Sequence, residues 1–256
     1  MTIQETIKKI RSGICKIEFY SDNNAVNSGS GFIYKNKLIT NSHVFHPEGY
    51  VFPDNTRLIL IFGDNEKIEL TMKNLHLKVG SDETNADFAV YDLPEKIENR
   101  FNFDISDLED VNEGDEVLLL GFPFEASRLT THHGRISALF KENNVKKIQI
   151  DASVNQGNSG GPLYHLATEK VVGIITRKNS GLTKDFDDLL SSFSSNIQVL
   201  KDAQKNGSIG ILGINPIQFF EVSQGQMQII SQNIKRSANT GIGYAFSCET
   251  LLKENL

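Results

Sequence analysis

One serine in this chain stands on a bend built largely from glycine. Gly157 comes two residues before Ser159, and a Gly-Gly pair follows it directly. The missing side chains leave the Ser159 hydroxyl accessible to a substrate carbonyl and leave backbone N–H groups free to converge on a developing oxyanion. Because a serine hydroxyl is a weak nucleophile until a base takes its proton, this chemistry requires a histidine and an acid elsewhere.

Two other segments supply candidates for that base and that acid. His43 directly follows an apolar, strand-like run and is preceded by small polar residues. Asp87 lies between apolar residues, which indicates a partly buried carboxylate. A buried carboxylate is costly unless it accepts hydrogen bonds, and a histidine Nδ1–H is a suitable donor. The chain order is therefore base, acid and nucleophile.

The elements that must position these residues are mostly short β-strands separated by turn residues. Two successive sets of about six strands favour an all-β fold of two antiparallel six-stranded β-barrels over alternating βαβ units. A short C-terminal helix is expected over residues 248–253, with Ser247 as its N-cap. The predicted strands are residues 14–20, 30–34, 37–41, 57–62, 67–72, 86–91, 116–121, 129–139, 146–152, 161–165, 171–176 and 243–247.

Residues 178–240 interrupt the strands with two helical patterns. We expect the first helix to end near Gly207 and the second to begin at Asn215, which caps it ahead of Pro216. Apolar stripes of this kind are usually core, so we expect both to pack on each other and on the barrel; a gate or docking surface is the alternative. The stripes comprise Phe186, Leu189, Leu190, Phe193, Ile197 and Leu200, then Ile217, Phe220, Met227, Ile230 and Ile234.

Composition excludes several classes of protein. The formal net charge of −6 over 256 residues argues against broad binding to nucleic acid or acidic lipid. The sequence has no apolar stretch long enough to cross a membrane, and its first twelve residues do not resemble a secretory signal, so we expect a cytoplasmic protein unless a signal was removed.

Neither the cysteines nor the histidines show a metal-binding pattern. The two cysteines, Cys15 and Cys248, stand near opposite ends of the chain. We expect two free buried thiols, with a single disulfide as the alternative. The histidines are not spaced with carboxylates or cysteines as metal ligands are, so no metal or other cofactor is predicted.

Several spaced motifs together resemble the chymotrypsin-like serine proteases, and most of all the bacterial Deg/HtrA type. The motifs are residues 40–43 (TNSH), 86–89 (ADFA) and 150–163 (IDASVNQGNSGGPL), supported by 121–123, 134–137, 172–174 and 241–246. The resemblance implies one protease domain over residues 1–256. Its first barrel would span about 14–98, its second 115–177 plus 241–247, and its helical insertion 178–240.

The resemblance also implies a mechanism and its residues. Ser159 would attack a peptide carbonyl, His43 would act as base and then acid, and Asp87 would orient the imidazole. Backbone N–H groups of Gly157 and Ser159 would form the oxyanion hole. The expected partners are thus a protein or peptide substrate and a regulatory protein docking at the insertion. A catalytically silent or latent protease-fold module that binds a protein segment is the alternative.

The chain departs from the family pattern at three places. Asn158 stands where trypsin-type zymogens carry the acid that pairs with a new N-terminus, so that form of activation is excluded. We expect the protein to lack the family's usual C-terminal peptide-binding domain. Ser153 occupies the base of the specificity pocket where an aspartate would select a basic residue. A neutral pocket for small or medium apolar side chains is expected, with walls at Ile174, Ile175, Thr176, Gly241 and Gly243.

Overall fold

The computed structural model describes residues 1–21, 24–47, 50–82, 85–93, 100–123, 126–176, 181–205, 215–237, 241–254 and 256. The chain separates into two compact units. Met1–Arg177 and Thr240–Leu256 form the first unit, and Lys178–Asn239 form the second. The second unit therefore lies within the segment for which the sequence predicts helices.

Strands dominate the first unit, and all twelve predicted strands have a counterpart in it. Strand β6 and helices α1 and α2 were not predicted from the sequence. The strands are β1 (Ile14–Ser21), β2 (Asn24–Tyr34), β3 (Lys37–Thr40), β4 (Arg57–Phe62), β5 (Lys67–Thr71), β6 (His76–Ser81), β7 (Phe88–Asp92), β8 (Glu116–Gly121), β9 (Thr130–Glu142), β10 (Val145–Ile150), β11 (Pro162–His165), β12 (Lys170–Thr176) and β13 (Gly243–Ser247). The helices are α1 (Ile3–Ile10), α2 (Ser42–Phe45) and α5 (Glu249–Leu252), while α3 (Gly181–Lys205) and α4 (Pro216–Ser237) belong to the second unit.

The N-terminal strands form one antiparallel sheet of seven strands in the order β5-β4-β1-β2-β3-β7-β6. The six-stranded closed barrel predicted for this half is not confirmed, since β5 and β6 are edge strands within the described residues. Strand β6 is hard to predict because its residues are mostly solvent-exposed and only Leu77 and Val79 among its six residues are apolar. A mostly exposed edge strand carries little of the pattern from which strands are predicted.

The C-terminal strands form the closed six-stranded barrel that the sequence predicts, in the order β10-β13-β12-β11-β8-β9. Strand β13 follows the helical unit in the chain and pairs with both β10 and β12. Successive residues of a strand face opposite sides of a sheet. Accordingly Ile174 and Ile175 of β12 are both buried but belong to different apolar clusters.

Three clusters of buried apolar side chains form the core of the sheet and the barrel. One cluster lies on the sheet side and includes Phe19 and Phe45. A second fills the barrel and includes Ile148. The third draws on both, for example on Phe32 of the sheet and Leu120 of the barrel. Because the third cluster is shared, the loops at this junction are held by both β-structures.

Helix α1 completes the shared cluster. A capping box closes its first turn, in which the Glu5 N–H donates to Thr2 Oγ1 and the Thr2 N–H donates to Glu5 Oε2. Both hydrogen bonds satisfy backbone donors that a helix start leaves unpaired. At the other end of the helix, Ile10 is completely buried in the shared cluster.

The C-terminal end confirms the predicted short helix and the state of the cysteines. Helix α5 has Cys248 as its N-cap residue, although the Glu249 N–H also donates to Ser247 Oγ at 3.1 Å. Cys15 and Cys248 are free and completely buried, so the predicted thiols are confirmed and the disulfide is not formed. Burial raises the pKa of both thiols, which disfavours their reactive thiolate form.

The second unit is a pair of helices. The predicted start of α4 is confirmed, because Asn215 Oδ1 accepts hydrogen bonds from the N–H groups of Ile217 and Gln218 at 3.0 and 3.3 Å. Helix α3 ends at Lys205, and the stop predicted at Gly207 lies outside the described residues. None of the helices in the described part of the chain is both long and apolar enough to span a bilayer.

Substitution of Ile10 tests the contribution of α1 to the shared core. We expect Ile10→Ala to lower the free energy of unfolding by about 2–5 kcal/mol, since it removes a fully buried side chain. Ile3→Ala is the matched control in the same helix, because Ile3 is 36% exposed and should cost less than about 1 kcal/mol. Urea denaturation measures both, and equal losses would contradict this packing.

Candidate active site

Asp87 is the most constrained carboxylate of the first unit. Its side chain is only 2% exposed, and its backbone adopts a φ of +42° just before β7. The carboxylate oxygens accept from the His43 backbone N–H at 3.2 Å and from Thr176 Oγ1 at 3.4 Å. Its Oδ2 also lies 2.8 Å from His43 Nδ1. These bonds replace the solvation that a buried carboxylate loses, so the group can stay charged.

His43 is oriented by this carboxylate. The residue lies in the single turn α2, directly after β3, and its side chain is 27% exposed. A carboxylate acceptor at Nδ1 keeps the proton on that nitrogen and leaves Nε2 as the acceptor of the neutral ring. The neighbouring Asn41 strengthens the arrangement, because its Nδ2 donates to the Asp87 carbonyl at 2.6 Å. The imidazole is therefore prepared to accept a proton at Nε2.

The bend that carries Ser159 is shaped by close packing against both β-structures. Gly157 and Gly160 have φ values of +95° and +87°, a conformation that side chains with a Cβ rarely adopt. A Cβ on Gly160 would collide with the Ser30 carbonyl and the Thr40 hydroxyl, and one on Gly161 would collide with the Leu120 carbonyl. The two glycines after the serine are therefore required by the approach of β2, β3 and β8.

Ser30 of β2 holds the serine bend from the sheet side. Its N–H donates to the Ser159 carbonyl at 2.8 Å, and its hydroxyl donates to the Gly157 carbonyl at 2.7 Å. The same hydroxyl accepts from the Phe122 N–H at 2.9 Å, and the Ser30 carbonyl accepts from Thr40 Oγ1 at 2.7 Å. Ser30 is completely buried, so these bonds form away from water. One residue thus holds the peptide group after Gly157 and the peptide group after Ser159.

Strand β12 connects the serine bend to the acid. The Gly160 N–H donates to the Ile175 carbonyl at 2.9 Å, and the Ile175 N–H donates to the Gly161 carbonyl at 2.8 Å. The next residue, Thr176, donates its hydroxyl to Asp87. A continuous series of hydrogen bonds and neighbouring residues therefore runs from the Ser159 bend through β12 to Asp87 and His43.

Asn158 directly precedes Ser159 and is completely buried. Within the described part of the chain, neither its Oδ1 nor its Nδ2 has a hydrogen-bond partner. Such a group costs about 1–3 kcal/mol, and a charged aspartate would cost more in the same surroundings. The absence of an ion-pairing acid here agrees with the sequence-based argument against zymogen-type activation.

The predicted pocket residues occupy two strands, β12 and β13, and two loops, one after β10 and one before β13. Ser153 is half-buried in the loop after β10, and Gly243 packs so tightly beside this loop that a Cβ would lie 2.7 Å from the Ala152 carbonyl. The side chains of Ile174 and Ile175 are buried in the apolar clusters, and Thr176 bonds the acid. Gly241 is exposed, with a φ of +73°.

Sequence reasoning missed the supporting roles of Ser30 and Thr176. Thr176 entered the analysis only as a pocket residue, and nothing in the local pattern of β2 singled out Ser30. Both act across strands that are distant in the chain, so their partners become visible only once the fold is known. Asn41 gave a partial signal, because it belongs to the small polar residues that precede His43.

A sheet and a closed barrel that share a core, with a histidine–aspartate pair on one and a glycine-flanked serine on the other, characterise a trypsin-like fold. The model of the trypsin-like peptidase domain matches residues 29–174, more than half of the chain. The chain therefore belongs to the trypsin-like peptidase domain family.

Curated relatives are serine proteases of the Deg and HtrA type. A probable periplasmic DegP-like serine endoprotease of Hahella chejuensis is 33% identical over 200 residues, which cover 73% of this chain and 39% of the relative. Human serine protease HTRA4 is 30% identical over 161 residues, covering 58% of this chain and 30% of the relative. The chain thus spans less than half the length of these relatives.

Solved structures show the same fold. An HtrA-type protease, AlgW with a tripeptide, has a TM-score of 0.55 and 24% identity, covering 71% of this chain and 56% of that one. A serine endoprotease from Yersinia pestis has a TM-score of 0.53 and 25% identity, covering 69% and 57% of the two chains.

The hydroxyl of Ser30 provides a test of how the serine bend is held. We expect Ser30→Ala to lower the free energy of unfolding by about 1–3 kcal/mol, because it leaves the buried Gly157 carbonyl and Phe122 N–H without this partner. Ser28→Ala on the same face of β2 is the control. Chemical denaturation gives the free energies of unfolding. A Ser30→Ala protein as stable as the control would show that the hydroxyl does not hold the bend.

Proposed function

We propose that this protein is a serine endopeptidase in which His43, Asp87 and Ser159 act as a triad through an acyl-enzyme. One observation carries the proposal: the buried Asp87 carboxylate bonds both His43 nitrogen donors and is connected through Thr176 and β12 to the Ser159 bend. Membership of the peptidase family supports the same assignment. The corresponding fold is the chymotrypsin-like double barrel, with the N-terminal sheet in the place of the first barrel.

The proposed reaction has two halves. In the first, Ser159 Oγ attacks the peptide carbonyl carbon while His43 Nε2 takes the hydroxyl proton. Collapse of the tetrahedral intermediate breaks the C–N bond, and His43 delivers the proton to the departing amine. In the second half, water attacks the ester with His43 again as base, which regenerates Ser159. Asp87 stays ionised throughout and stabilises the imidazolium.

The oxyanion of each intermediate would be bound by the N–H groups of Gly157 and Ser159. Support comes from the bonds of Ser30 to the Gly157 and Ser159 carbonyls, which hold the two residues that carry these N–H groups. Preorganised donors of this kind are worth about 3 kcal/mol each in comparable sites. Because both donors belong to a bend already held by β2 and β12, little reorganisation would be needed when charge develops.

Replacing Ser159 tests the proposed activity. We expect the full-length protein to cleave fluorescein-labelled casein, an unfolded polypeptide, and Ser159→Ala to lose this activity because its nucleophile is absent. Ser192→Ala on the exposed face of α3 is the matched control and should retain it. Cleavage that persists in Ser159→Ala would refute the proposed nucleophile. A folded wild-type protein without any cleavage would favour the silent or latent binding module.

Replacing Asp87 tests the role of the acid. We expect Asp87→Asn to lower kcat by about 10⁴-fold with little change in KM, because an amide favours the wrong imidazole tautomer. Asp92→Asn at the end of β7, where the half-exposed carboxylate pairs with Lys37 Nζ at 2.7 Å, should leave kcat within about twofold. Steady-state kinetics on a peptide reporter give both constants, and equal effects of the two variants would refute the assignment.

The pocket around Ser153 would accept small or medium apolar side chains. Ser153 brings no charge to the pocket base, and the nearby Val154 and Gly243 narrow the space beside it. We expect Ser153→Asp to raise kcat/KM for an arginine reporter relative to an alanine reporter by at least about tenfold, as a buried carboxylate pairs with guanidinium. Paired peptide reporters measure the ratio, and an unchanged ratio would place the pocket elsewhere.

Regulation through the helical unit follows from its position in the chain. The unit lies between β12, which bonds the serine bend, and β13, which pairs with β12. A protein partner bound to the helices would thereby act on strands that hold the active site. The cytoplasmic location expected from the sequence stays a prediction, since one relative bears a periplasmic name.

A further inference from the structure

Helix α4 presents a row of apolar side chains to solvent. Phe220, Met227, Ile230 and Ile234 are 55%, 48%, 56% and 49% exposed, and we call them the α4 stripe. The sequence analysis expected this face to be core, and that expectation is wrong for all four residues. The stripe positions, together with Ser223, follow one another at alternating intervals of three and four residues.

The hydrogen bonds between α3 and α4 lie off the α4 stripe. Gln228 Nε2 donates to Ser194 Oγ at 3.0 Å, and Asn196 Nδ2 donates to Gln224 Oε1 at 3.4 Å. Ser231 is the buried residue of α4 at 8% exposure. The hairpin therefore joins its helices along a polar side of α4 and leaves the larger apolar side chains outside.

The exposed apolar side chains of α4 form a patch as large as the largest apolar patch of a typical soluble monomer, and such patches are often functional. With roughly 100 Å² exposed for each stripe residue and for Phe219, which is 63% exposed, the patch covers on the order of 500 Å². Patches of this size mark interaction sites in soluble proteins. Two such patches facing each other would bury about 1,000 Å² in total, which reaches the lower bound of specific interfaces.

We propose that the α4 stripe binds the α4 stripe of a second copy of this chain, so that two helical units form a four-helix interface. Alternating intervals of three and four residues are the heptad pattern by which helices pack in coiled coils. An interface between identical faces must also avoid like charges. The stripe carries none, and the flanking heptad positions hold only Gln224, Gln226, Ser231, Asn233 and Phe219.

The positions of the three charged residues of α4 fit this heptad pattern. Glu221, Lys235 and Arg236 fall at heptad positions outside the stripe and its flanks. A partner recognised by charge would need complementary charges on the stripe face, which has none. A second copy brings an equally apolar and uncharged face of the same length. The inference concerns the helical unit alone and is independent of the proposed peptidase activity.

Sedimentation velocity of the full-length protein over a range of concentrations tests the interface. We expect a reversible dimer whose Kd rises at least about tenfold in Ile230→Glu, because the substitution places two like charges in an apolar contact. Ile229→Glu is the matched control, since Ile229 is 59% exposed and lies off the stripe. Its Kd should stay within about threefold of the wild-type value, and circular dichroism should show that both variants keep their helices.

Cross-linking tests the pairing itself. Met227 lies midway between Phe220 and Ile234, so its copies meet at the centre of the interface whether the helices run parallel or antiparallel. The native cysteines are completely buried, so Met227→Cys adds the reactive thiol. Mild oxidation should yield a covalent dimer of Met227→Cys but not of Ile229→Cys.

Three results would overturn the interface: a wild-type monomer at all concentrations, equal effects of Ile230→Glu and Ile229→Glu on Kd, or equal cross-linking of the two cysteine variants. A monomer would mean that the stripe does not bind a second copy and is left for a different protein. Because none of these measurements uses peptide cleavage, a failure here is distinct from a failure of the proposed activity.

Discussion

The ionised carboxylate of Asp87 is the constraint on which the site depends. A group that is 2% exposed can remain charged only if surrounding donors replace water, and the backbone and ring N–H groups of His43 and the Thr176 hydroxyl do so. Those donors come from a turn after β3 and from the end of β12. Keeping this one charge satisfied thus fixes the sheet and the barrel relative to each other and orients the imidazole.

The same junction sets the conformation of the serine bend. Ser30 reaches from β2 to the carbonyls of Gly157 and Ser159, while β12 bonds Gly160 and Gly161. The positive φ angles and the close contacts of the glycines leave little freedom for other residues. The glycines that first suggested an accessible hydroxyl are therefore equally a packing requirement, and the two explanations are compatible.

Sequence patterns predicted elements and motifs well where the signal was local. The strands, the C-terminal helix, the Asn215 cap and the free thiols all follow from short patterns. Helix α1 was missed although its Thr2–Glu5 capping box is a local signal. The other failures depended on tertiary context: β6 is an exposed edge strand, and the apolar face of α4 is not core. The positions of Ser30 and Thr176 were beyond reach for the same reason, because their partners are more than 80 residues away in the chain.

The central claim is that Asp87 and His43 activate Ser159. Labelling with a fluorophosphonate, followed by mass spectrometry of the digested protein, measures this most directly. We expect one adduct, on the peptide that contains Ser159. This adduct should form far more slowly in Asp87→Asn than in the wild type. No adduct on a folded wild-type protein, an adduct on another residue, or equal labelling rates for the two proteins would contradict it.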